Sequence, residues 1–212
     1  MSRTLSINNL YSQSFTTLEF DGVYEPVFGS PSDNGAWLIF GSEKNGKTTM
    51  ALILANYLSQ QKKTLYLSAE EGTAEPAFVD ACKRSGLEAN NRNLHFINYI
   101  SVDDLSLKLS KRKSASIIFI DNCTVYKDEL KGGALKDLLD RHPKKLFIFL
   151  AHEERKEPYT AVAKYISKIA KIIIHVEGLV CNCYGRIPGG TLTINEDMAT
   201  LFHGMKSTKT NI

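Results

Sequence analysis

The sequence predicts an α/β fold in which helices flank a mostly parallel central sheet. Short apolar runs, each suited to a buried strand, alternate with stretches that carry the residue spacing of a helix. Polar residues follow directly after several of these runs, at the edge where parallel sheets place their ligands. One run leads into residues 41–48, which match the phosphate-binding pattern G-x-x-x-x-G-K-[ST]. Together these observations predict an α/β domain with a phosphate site at one edge of its sheet.

The phosphate-binding loop lies between a predicted strand at residues 36–40 and a predicted helix at residues 49–58. Its glycines permit a tight backbone path, so that successive N–H groups can surround a phosphate beside the positive end of the helix. Lys47 would add a full charge for the β- and γ-phosphates, and the Thr48 hydroxyl can ligate Mg²⁺. The residues predicted to bind the nucleotide are Gly41, Ser42, Glu43, Lys44, Asn45, Gly46, Lys47, Thr48 and Thr49.

Four more strands and four more helices are predicted to follow this loop in alternation. The strands are expected at residues 64–68, 94–98, 117–121 and 145–151. The helices are expected with Pro76 in the first turn and an end near Gly86, over residues 101–112 with Ser101 as N-cap, over residues 135–141, and from Pro158 onward. The lysines and glycines of residues 123–134 predict a mobile loop before the third of these helices.

The two ends of the chain differ from this pattern. Residues 1–35 combine turn formers with five aromatic residues, which predicts an N-terminal arm that packs on the core or on a neighbouring subunit. Residues 36–204 form the predicted core. Its last part, at residues 171–177, 179–184 and 191–194, is interpreted as antiparallel hairpins. Residues 205–212 are expected to be a frayed tail.

Candidate site residues stand at three strand ends. Glu70 and Glu71 follow the strand at residues 64–68, and His152 follows the strand at residues 145–151. Asp121 closes an apolar strand as in a Walker B motif, so we predict that Thr48 and Asp121 hold the Mg²⁺ shell. The alternative for Asp121 is a capping role in the turn that follows it.

The order of these features resembles that of the RecA-like ATPases, especially the RadA and DnaB-helicase branch. The segment from Leu65 to Glu71 (LYLSAEE) carries much of the resemblance, which covers about residues 36–195. It implies a RecA-like fold, ATP and Mg²⁺ as cofactors, and a homo-oligomer, ring or filament, whose active site is completed between subunits. In size and core motifs the chain is similar to the minimal RecA-type ATPases of phages and mobile elements.

The resemblance also implies roles for individual residues. Glu70 matches the catalytic glutamate that polarises the attacking water, with Glu71 as the competing candidate. Lys47 would act on the transferred phosphate, and His152 matches the residue that senses the γ-phosphate, with a histidine of no special role as the alternative. Arg186 is similar to the family's basic residue that reaches a neighbour's nucleotide, and Arg155 and Lys156 are rivals for that role.

The family binds single-stranded DNA through the loops that correspond here to residues 123–134 and 153–160. Both carry basic residues, and Tyr126 and Tyr159 are candidates for stacking on bases or for ordinary core and surface positions. We therefore expect an ATP-hydrolysing protein that acts on single-stranded DNA in recombination or replication. A KaiC-like regulatory ATPase that acts through protein partners is the alternative. A small-molecule kinase is disfavoured, because few arginines follow the Walker B strand.

Composition sets weaker limits. The net charge of +3 implies no partner by itself, although residues 141–175 carry eight basic and three acidic residues, which suits either nucleic acid or a solvated helix face. The four cysteines lack the spacing of a four-ligand zinc site and are expected to be reduced thiols in a cytoplasmic protein. Neither a signal peptide nor an apolar run long enough to span a membrane is predicted.

Overall fold

The structure, a computed structural model, describes the backbone of residues 4–209 and the side chains of that range apart from Met198 and residues 204–209. The strands are β1 (Gly35–Gly41), β2 (Thr64–Ser68), β3 (Leu94–Asn98), β4 (Ile117–Asp121), β5 (Leu146–Glu154), β6 (Glu157–Pro158), β7 (Ile172–Glu177), β8 (Val180–Gly185) and β9 (Gly190–Thr193). The helices are α1 (Ile7–Tyr11), α2 (Glu25–Phe28), α3 (Lys47–Ser59), α4 (Pro76–Arg84), α5 (Val102–Ser110), α6 (Ala134–Arg141), α7 (Ala161–Ile169) and α8 (Glu196–Lys209).

The strands form one sheet in the order β3-β2-β4-β5-β1-β7-β8-β9, and the short β6 pairs with β5. The six strands from β3 to β7 in this order run parallel, whereas β8 and β9 continue the sheet antiparallel. Parallel strands covered on both faces have to be apolar throughout, and β2, β4 and the first six residues of β5 are buried along their whole length. The predicted α/β architecture is therefore confirmed.

Helices cover the two faces of the sheet in separate groups. The first core joins the sheet to α3, α4 and the N-terminal residues, and the second joins it to α5, α6 and α7. Helix α3 is apolar nearly all round because the N-terminal residues cover its outer side, where Phe20 stacks on Tyr57 with ring centroids 5.4 Å apart. Phe28 is buried as well, and burying one such side chain stabilises the fold by roughly 1.5–3 kcal/mol.

The described part of the predicted N-terminal arm divides into two segments. Leu18, Phe20 and Phe28 lie in the first core, and Thr17 pairs with Ser32 in an isolated β-bridge. The segment before them, which includes α1, exposes its large apolar side chains, and α1 buries none of its residues. The placement of a domain boundary at residue 35 stays a prediction.

Three elements differ from the sequence-based expectation. Strand β7 was assigned to an antiparallel hairpin unit, but it pairs parallel with β1 on one side and antiparallel with β8 on the other. Pro158 lies in β6 and does not open α7, whose N-cap is Thr160, the acceptor of a hydrogen bond from the Ala163 N–H. Residues 196–209 form α8, which was not predicted, so part of the expected frayed tail is helical. Residues 210–212 of that tail lie outside the described range.

The loop before α6, predicted to be mobile, is fixed to the core at two points. Tyr126 is 1% exposed and donates a hydrogen bond to the Ile100 carbonyl at 2.8 Å, and Leu130 is buried beside it. The interpretation of Tyr126 as a base-stacking residue is therefore wrong, because its ring is not accessible. All four cysteines are free thiols. No helix within residues 4–209 is both long and apolar enough to cross a membrane.

Candidate active site

The predicted site residues come together because the sheet order places the ends of their strands side by side. From one side to the other, this row consists of Glu70 just after β2, Asp121 at the end of β4, His152 near the end of β5, and the phosphate-binding loop after β1. Within this row Ser68 pairs with Asp121, and Gly41 pairs with His152. Residues from four separate parts of the sequence therefore line one edge of the sheet.

Both glycines of the loop are required by the protein's own packing. A Cβ atom on Gly41 would lie 2.1 Å from the Val176 carbonyl oxygen of the adjacent strand β7. Gly46 has a φ of 99°, in the left-handed region, and a Cβ atom there would lie 2.6 Å from the Leu179 side chain. The loop therefore lies against the backbone of β7 and the turn that follows it, and α3 begins directly after Gly46.

Lys47, the first residue of α3, is 8% exposed and folds over the loop. Its Nζ donates a hydrogen bond to the Ser42 carbonyl at 2.7 Å. Burial lowers the pKa of this ammonium group, and nearby carboxylates, Asp121 foremost, oppose that shift. An ammonium group held at the mouth of a glycine loop in partly buried surroundings is suited to bind a phosphate oxygen.

Asp121 is the most strongly buried carboxylate of the site, at 9% exposure. Its Oδ2 accepts hydrogen bonds from the Thr48 hydroxyl at 3.2 Å and from the Tyr66 hydroxyl at 2.6 Å. Burial raises the pKa of Asp121 to about 6, although both hydrogen bonds oppose the increase. The charged form of this residue is therefore costly to the free protein, and a nearby cation would stabilise it.

Of the two glutamates that follow β2, Glu70 is the one whose side chain contacts other residues of this row. Its Oε2 accepts a hydrogen bond from Asn122 Nδ2 at 3.0 Å, and its Oε1 lies 3.4 Å from His152 Nε2. The other ring nitrogen of His152 is buried and has no hydrogen-bond partner among the described residues. Glu71, the competing candidate, is exposed, and within the described part of the chain its side chain makes no hydrogen bond.

A second buried acid lies on the other side of the loop. Glu153, the residue after His152, has its Oε2 atom 2.6 Å from His175 Nε2 and accepts a 3.5 Å hydrogen bond from the Ser42 hydroxyl. The His175 ring stacks on Phe40, with ring centroids 4.6 Å apart. These contacts connect the first residue after Gly41 to β5 and β7, and they fix the start of the loop.

The far end of the loop is attached to the turn between β7 and β8. The Asn45 Oδ1 atom accepts a hydrogen bond from the Gly178 N–H at 2.8 Å, and the Asn45 carbonyl accepts one from the Leu179 N–H at 3.2 Å. Phe202 of α8 packs closely on Gly178, where a Cβ atom would lie 2.0 Å from its ring. The loop, the turn and α8 thus form one packed unit.

Comparison with known proteins identifies the fold. No protein-family model matches the chain. Two curated relatives are both named DNA repair protein RadA. The one from Campylobacter jejuni is 34% identical over 137 residues, which cover 63% of this chain and 30% of the relative. The one from Aquifex aeolicus is 26% identical over 178 residues, which cover 79% of this chain and 39% of the relative. The chain thus spans well under half the length of the curated relatives that it matches.

Two solved structures resemble almost the whole chain. The flagellar accessory protein FlaH from Methanocaldococcus jannaschii has a TM-score of 0.63 at 17% identity, over 85% of this chain and 92% of its own. The KaiC-like protein PH0186 from Pyrococcus horikoshii has a TM-score of 0.57 at 14% identity, over 81% and 87%. The chain has a RecA-like fold. The resemblance stated from the sequence motifs is therefore confirmed at the level of the fold.

In this RecA-like chain the other sequence-predicted residues lie further from the loop. Arg186 follows β8 at the amino end of the parallel strands, where its N–H donates to the Lys171 carbonyl, so its role in contacting a neighbour's nucleotide stays a prediction. Arg155 and Lys156 form the two-residue turn between β5 and β6, both with positive φ, and Tyr159 beside them is 56% exposed.

Two residues of the RecA-like site were missed by sequence reasoning. Tyr66 lies within a buried strand, where its hydroxyl group needs a hydrogen-bond partner, and that need is the signal that could have predicted its contact with Asp121. Asn122 follows Asp121 directly and positions Glu70, but nothing in the sequence indicated that contact. Within the described side chains, no group of three or more His, Cys, Asp or Glu residues is arranged to hold a metal ion.

Proposed function

We propose that the protein is a Mg²⁺-dependent ATPase that acts on single-stranded DNA in recombination or replication. The observation that carries this proposal is the position of Glu70. Its carboxylate is held by Asn122 and His152 on the same sheet edge as the phosphate-binding loop. A carboxylate held beside a phosphate site is the arrangement needed to orient and polarise a water molecule that attacks the γ-phosphate.

The loop residues would bind the triphosphate. Backbone N–H groups of residues 41–46 and the N-terminal end of α3 supply partial positive charge, and Lys47 supplies a full charge. Thr49 follows in the first turn of α3, where its N–H adds to the same set of donors. The Lys47 ammonium group already donates to the Ser42 carbonyl of the loop. On nucleotide binding it would donate instead to a charged phosphate oxygen, which is a stronger acceptor.

Thr48 and Asp121 fit the requirements of a Mg²⁺ site. Both offer the oxygen donors that this hard cation prefers, and their side-chain oxygens already lie 3.2 Å apart. The raised pKa of the buried Asp121 carboxylate adds to the fit, because a divalent cation would stabilise its ionised form. When bound, Mg²⁺ would neutralise charge on the phosphates, while Tyr66 keeps Asp121 in its orientation.

His152 is suited to couple the nucleotide to the adjacent hairpin. Its ring faces Glu70, and its carbonyl accepts the N–H of Tyr159 at the end of that hairpin. A change in the Glu70 carboxylate on hydrolysis would therefore act on His152, three positions before the exposed turn at Arg155 and Lys156. This is the region that DNA contacts in the family that the chain resembles.

The DNA part of the proposal is supported by the two relatives named as DNA repair proteins. Its test is ATP turnover by the purified chain with and without an oligo-dT strand, at two salt concentrations. We expect turnover to rise with the strand and the increase to fall at high salt, because phosphate contacts weaken as counterions compete. The variant Lys47→Ala should bind ATP at least about tenfold more weakly, since a hydrogen bond to a charged group contributes about 1.5–3 kcal/mol. An unchanged affinity for ATP would show that the phosphate-binding loop is not the ATP site.

A KaiC-like regulatory ATPase is the second candidate, and the structural similarity to FlaH and to a KaiC-like protein favours it. Such a protein would act through protein partners. ATP turnover that does not respond to DNA at any salt concentration would support this candidate over the first. In either case we expect a homo-oligomer, and light scattering with and without ATP tests that expectation. Full turnover by a monomer at high concentration would contradict it.

A further inference from the structure

A basic surface lies at the opposite end of the sheet from the candidate active site. A groove of about 450 Å³ runs between the edge strand β3 and the end of α5, at the amino ends of β2 and β4. Five cationic side chains contribute to its lining, and no aspartate or glutamate does. They are Lys63, Lys108, Lys111, Arg112 and Lys113.

These cations are not paired within the described part of the chain. None of the five takes part in a salt bridge there, and Lys63 donates only to the Lys113 carbonyl, at 3.2 Å. All of the side chains from Lys111 to Lys113 are exposed, and so is Lys108. Like charges gathered around one concavity repel each other, and a polyanion would relieve that repulsion.

Some lysines near the end of a helix are expected, because cations there complement the helix dipole. That reason applies to Lys108, in the last turn of α5, and to Lys111, its C-cap. It does not apply to Lys63, which precedes β2, nor to Lys113, which belongs to the turn before β4. Charges from two separate chain segments therefore converge for another reason.

The two loops assigned to DNA by family resemblance are less basic than this groove. In residues 123–134, Lys127 and Lys131 are matched by Asp128 and Glu129, and Lys131 forms a salt bridge with Asp128 at 3.0 Å. In residues 153–160, three glutamates exceed the two cations. A nucleic-acid strand would thus meet more uncompensated positive charge at the groove than at either loop.

The floor of the groove is apolar. It includes Leu65, Ile97 and Leu109, and His95 pairs with Leu65 across the strands, so its exposed imidazole lies on the same side of the sheet. Phosphates need the cationic rim, while an unstacked base or a sugar fits an apolar floor beside a planar ring. A duplex offers no free base to such a floor.

We propose that this groove binds the backbone of single-stranded nucleic acid. The proposal extends the proposed function by placing a strand on the end of the sheet away from the nucleotide, and it does not depend on ATP hydrolysis. The strand would lie along the rim formed by residues 108–113 and Lys63, with phosphates on the cations.

The test uses fluorescein-labelled oligo-dT and oligo-rU, with anisotropy measured at several salt concentrations without nucleotide. The variant Lys108→Gln/Lys111→Gln/Arg112→Gln removes three exposed charges from the rim. Its matched control, Arg84→Gln/Arg92→Gln/Arg141→Gln, removes three exposed charges elsewhere that form no salt bridge within the described part of the chain. We expect the groove variant to bind at least about tenfold more weakly. The slope of log affinity against log salt should fall by about 2, because each lost contact to a single strand removes about 0.7.

Several outcomes would overturn the proposal: an unchanged groove variant, an equal loss in the control variant, or no binding of either oligomer by the wild-type chain. Displacement of oligo-dT by poly-glutamate at equal charge would also overturn it, because the groove would then accept acidic proteins. Thermal unfolding and ATP turnover without DNA should be unchanged in the groove variant. If ATP turnover is absent from every variant while the groove result holds, the proposed ATPase fails and this inference stands.

Discussion

The buried carboxylate of Asp121 should make the free protein less stable at neutral pH than it would be with an uncharged residue there. Burial raises the pKa of Asp121 from 3.8 to about 6. The folded chain therefore binds a proton more tightly than the unfolded chain, and stability falls as the pH rises from about 4 to about 6. With 1.36 kcal/mol for each pKa unit, the ionised carboxylate destabilises the fold by about 3 kcal/mol above that window.

The variant Asp121→Asn tests this reasoning, because the amide oxygen can still accept from Tyr66 and Thr48. At pH 7.5, without Mg²⁺ or nucleotide, we expect its free energy of unfolding to exceed that of the wild type by about 1–3 kcal/mol. At pH 4.5 the advantage should shrink, because the wild-type carboxyl group is then mostly protonated. Urea unfolding followed by the fluorescence of Trp37, the single and fully buried tryptophan, measures both values.

The control is Asp80→Asn, which neutralises an exposed carboxylate of α4 that pairs with Lys83 at 3.5 Å. Its stability should change by less than about 0.5 kcal/mol at either pH. The reasoning would be refuted if Asp121→Asn were less stable than the wild type at pH 7.5. It would also be refuted if the variant gained the same free energy of unfolding at both pH values, because a buried charge destabilises only when it is ionised. The same variant should lose the effect of Mg²⁺ on ATP binding.

Three further variants test the geometry of the site. Glu70→Gln should keep ATP affinity and lose turnover by about 10²–10⁴-fold, whereas Glu71→Gln should turn over normally, and the reverse result would exchange their roles. Gly46→Ala should destabilise the fold by about 1–3 kcal/mol in a urea titration. Gly22→Ala, at a positive φ but in open space, should cost less, and equal costs would argue against the clash. Tyr66→Phe should cost about 1–3 kcal/mol at pH 7.5, because a buried carboxylate loses a donor, and a neutral result would show that hydrogen bond to be dispensable.

Much of the sheet was predictable because most of its parallel strands are covered on both faces and are therefore apolar, the edge strand β3 being the exception. The strands at residues 64–68, 94–98 and 117–121 have the predicted bounds, and the polar residues after them mark the ligand edge. The orientation of β7 was harder to predict, because its direction depends on a neighbour that local spacing does not reveal. Its run of three isoleucines at Ile172–Ile174 suits a strand of either direction, because β-branched residues are enriched in parallel and antiparallel strands alike.

The candidate site was predictable in its members and not in their contacts. Glu70 and Glu71 are adjacent glutamates that the sequence alone does not distinguish. The fold distinguishes them, because it places Asn122 within hydrogen-bond distance of Glu70. Pro158 suggested the start of a helix because proline favours the first turn. The two-residue turn at Arg155 and Lys156 instead reverses the chain, so that Pro158 lies in β6, which pairs with β5. Residues that depend on distant partners are those that spacing rules cannot assign.

The link between Asn45 and Gly178 gives the phosphate-binding loop a late place in the assembly of the molecule. The two residues are 133 positions apart, so a nascent chain that has emerged only through α7 carries the complete motif but lacks the turn that supports it. The hydrogen bonds at the far end of the loop can form only after the turn at Gly178 and Leu179 has packed against it. We therefore expect nucleotide binding to depend on the C-terminal strands, although none of the residues of the motif lie there.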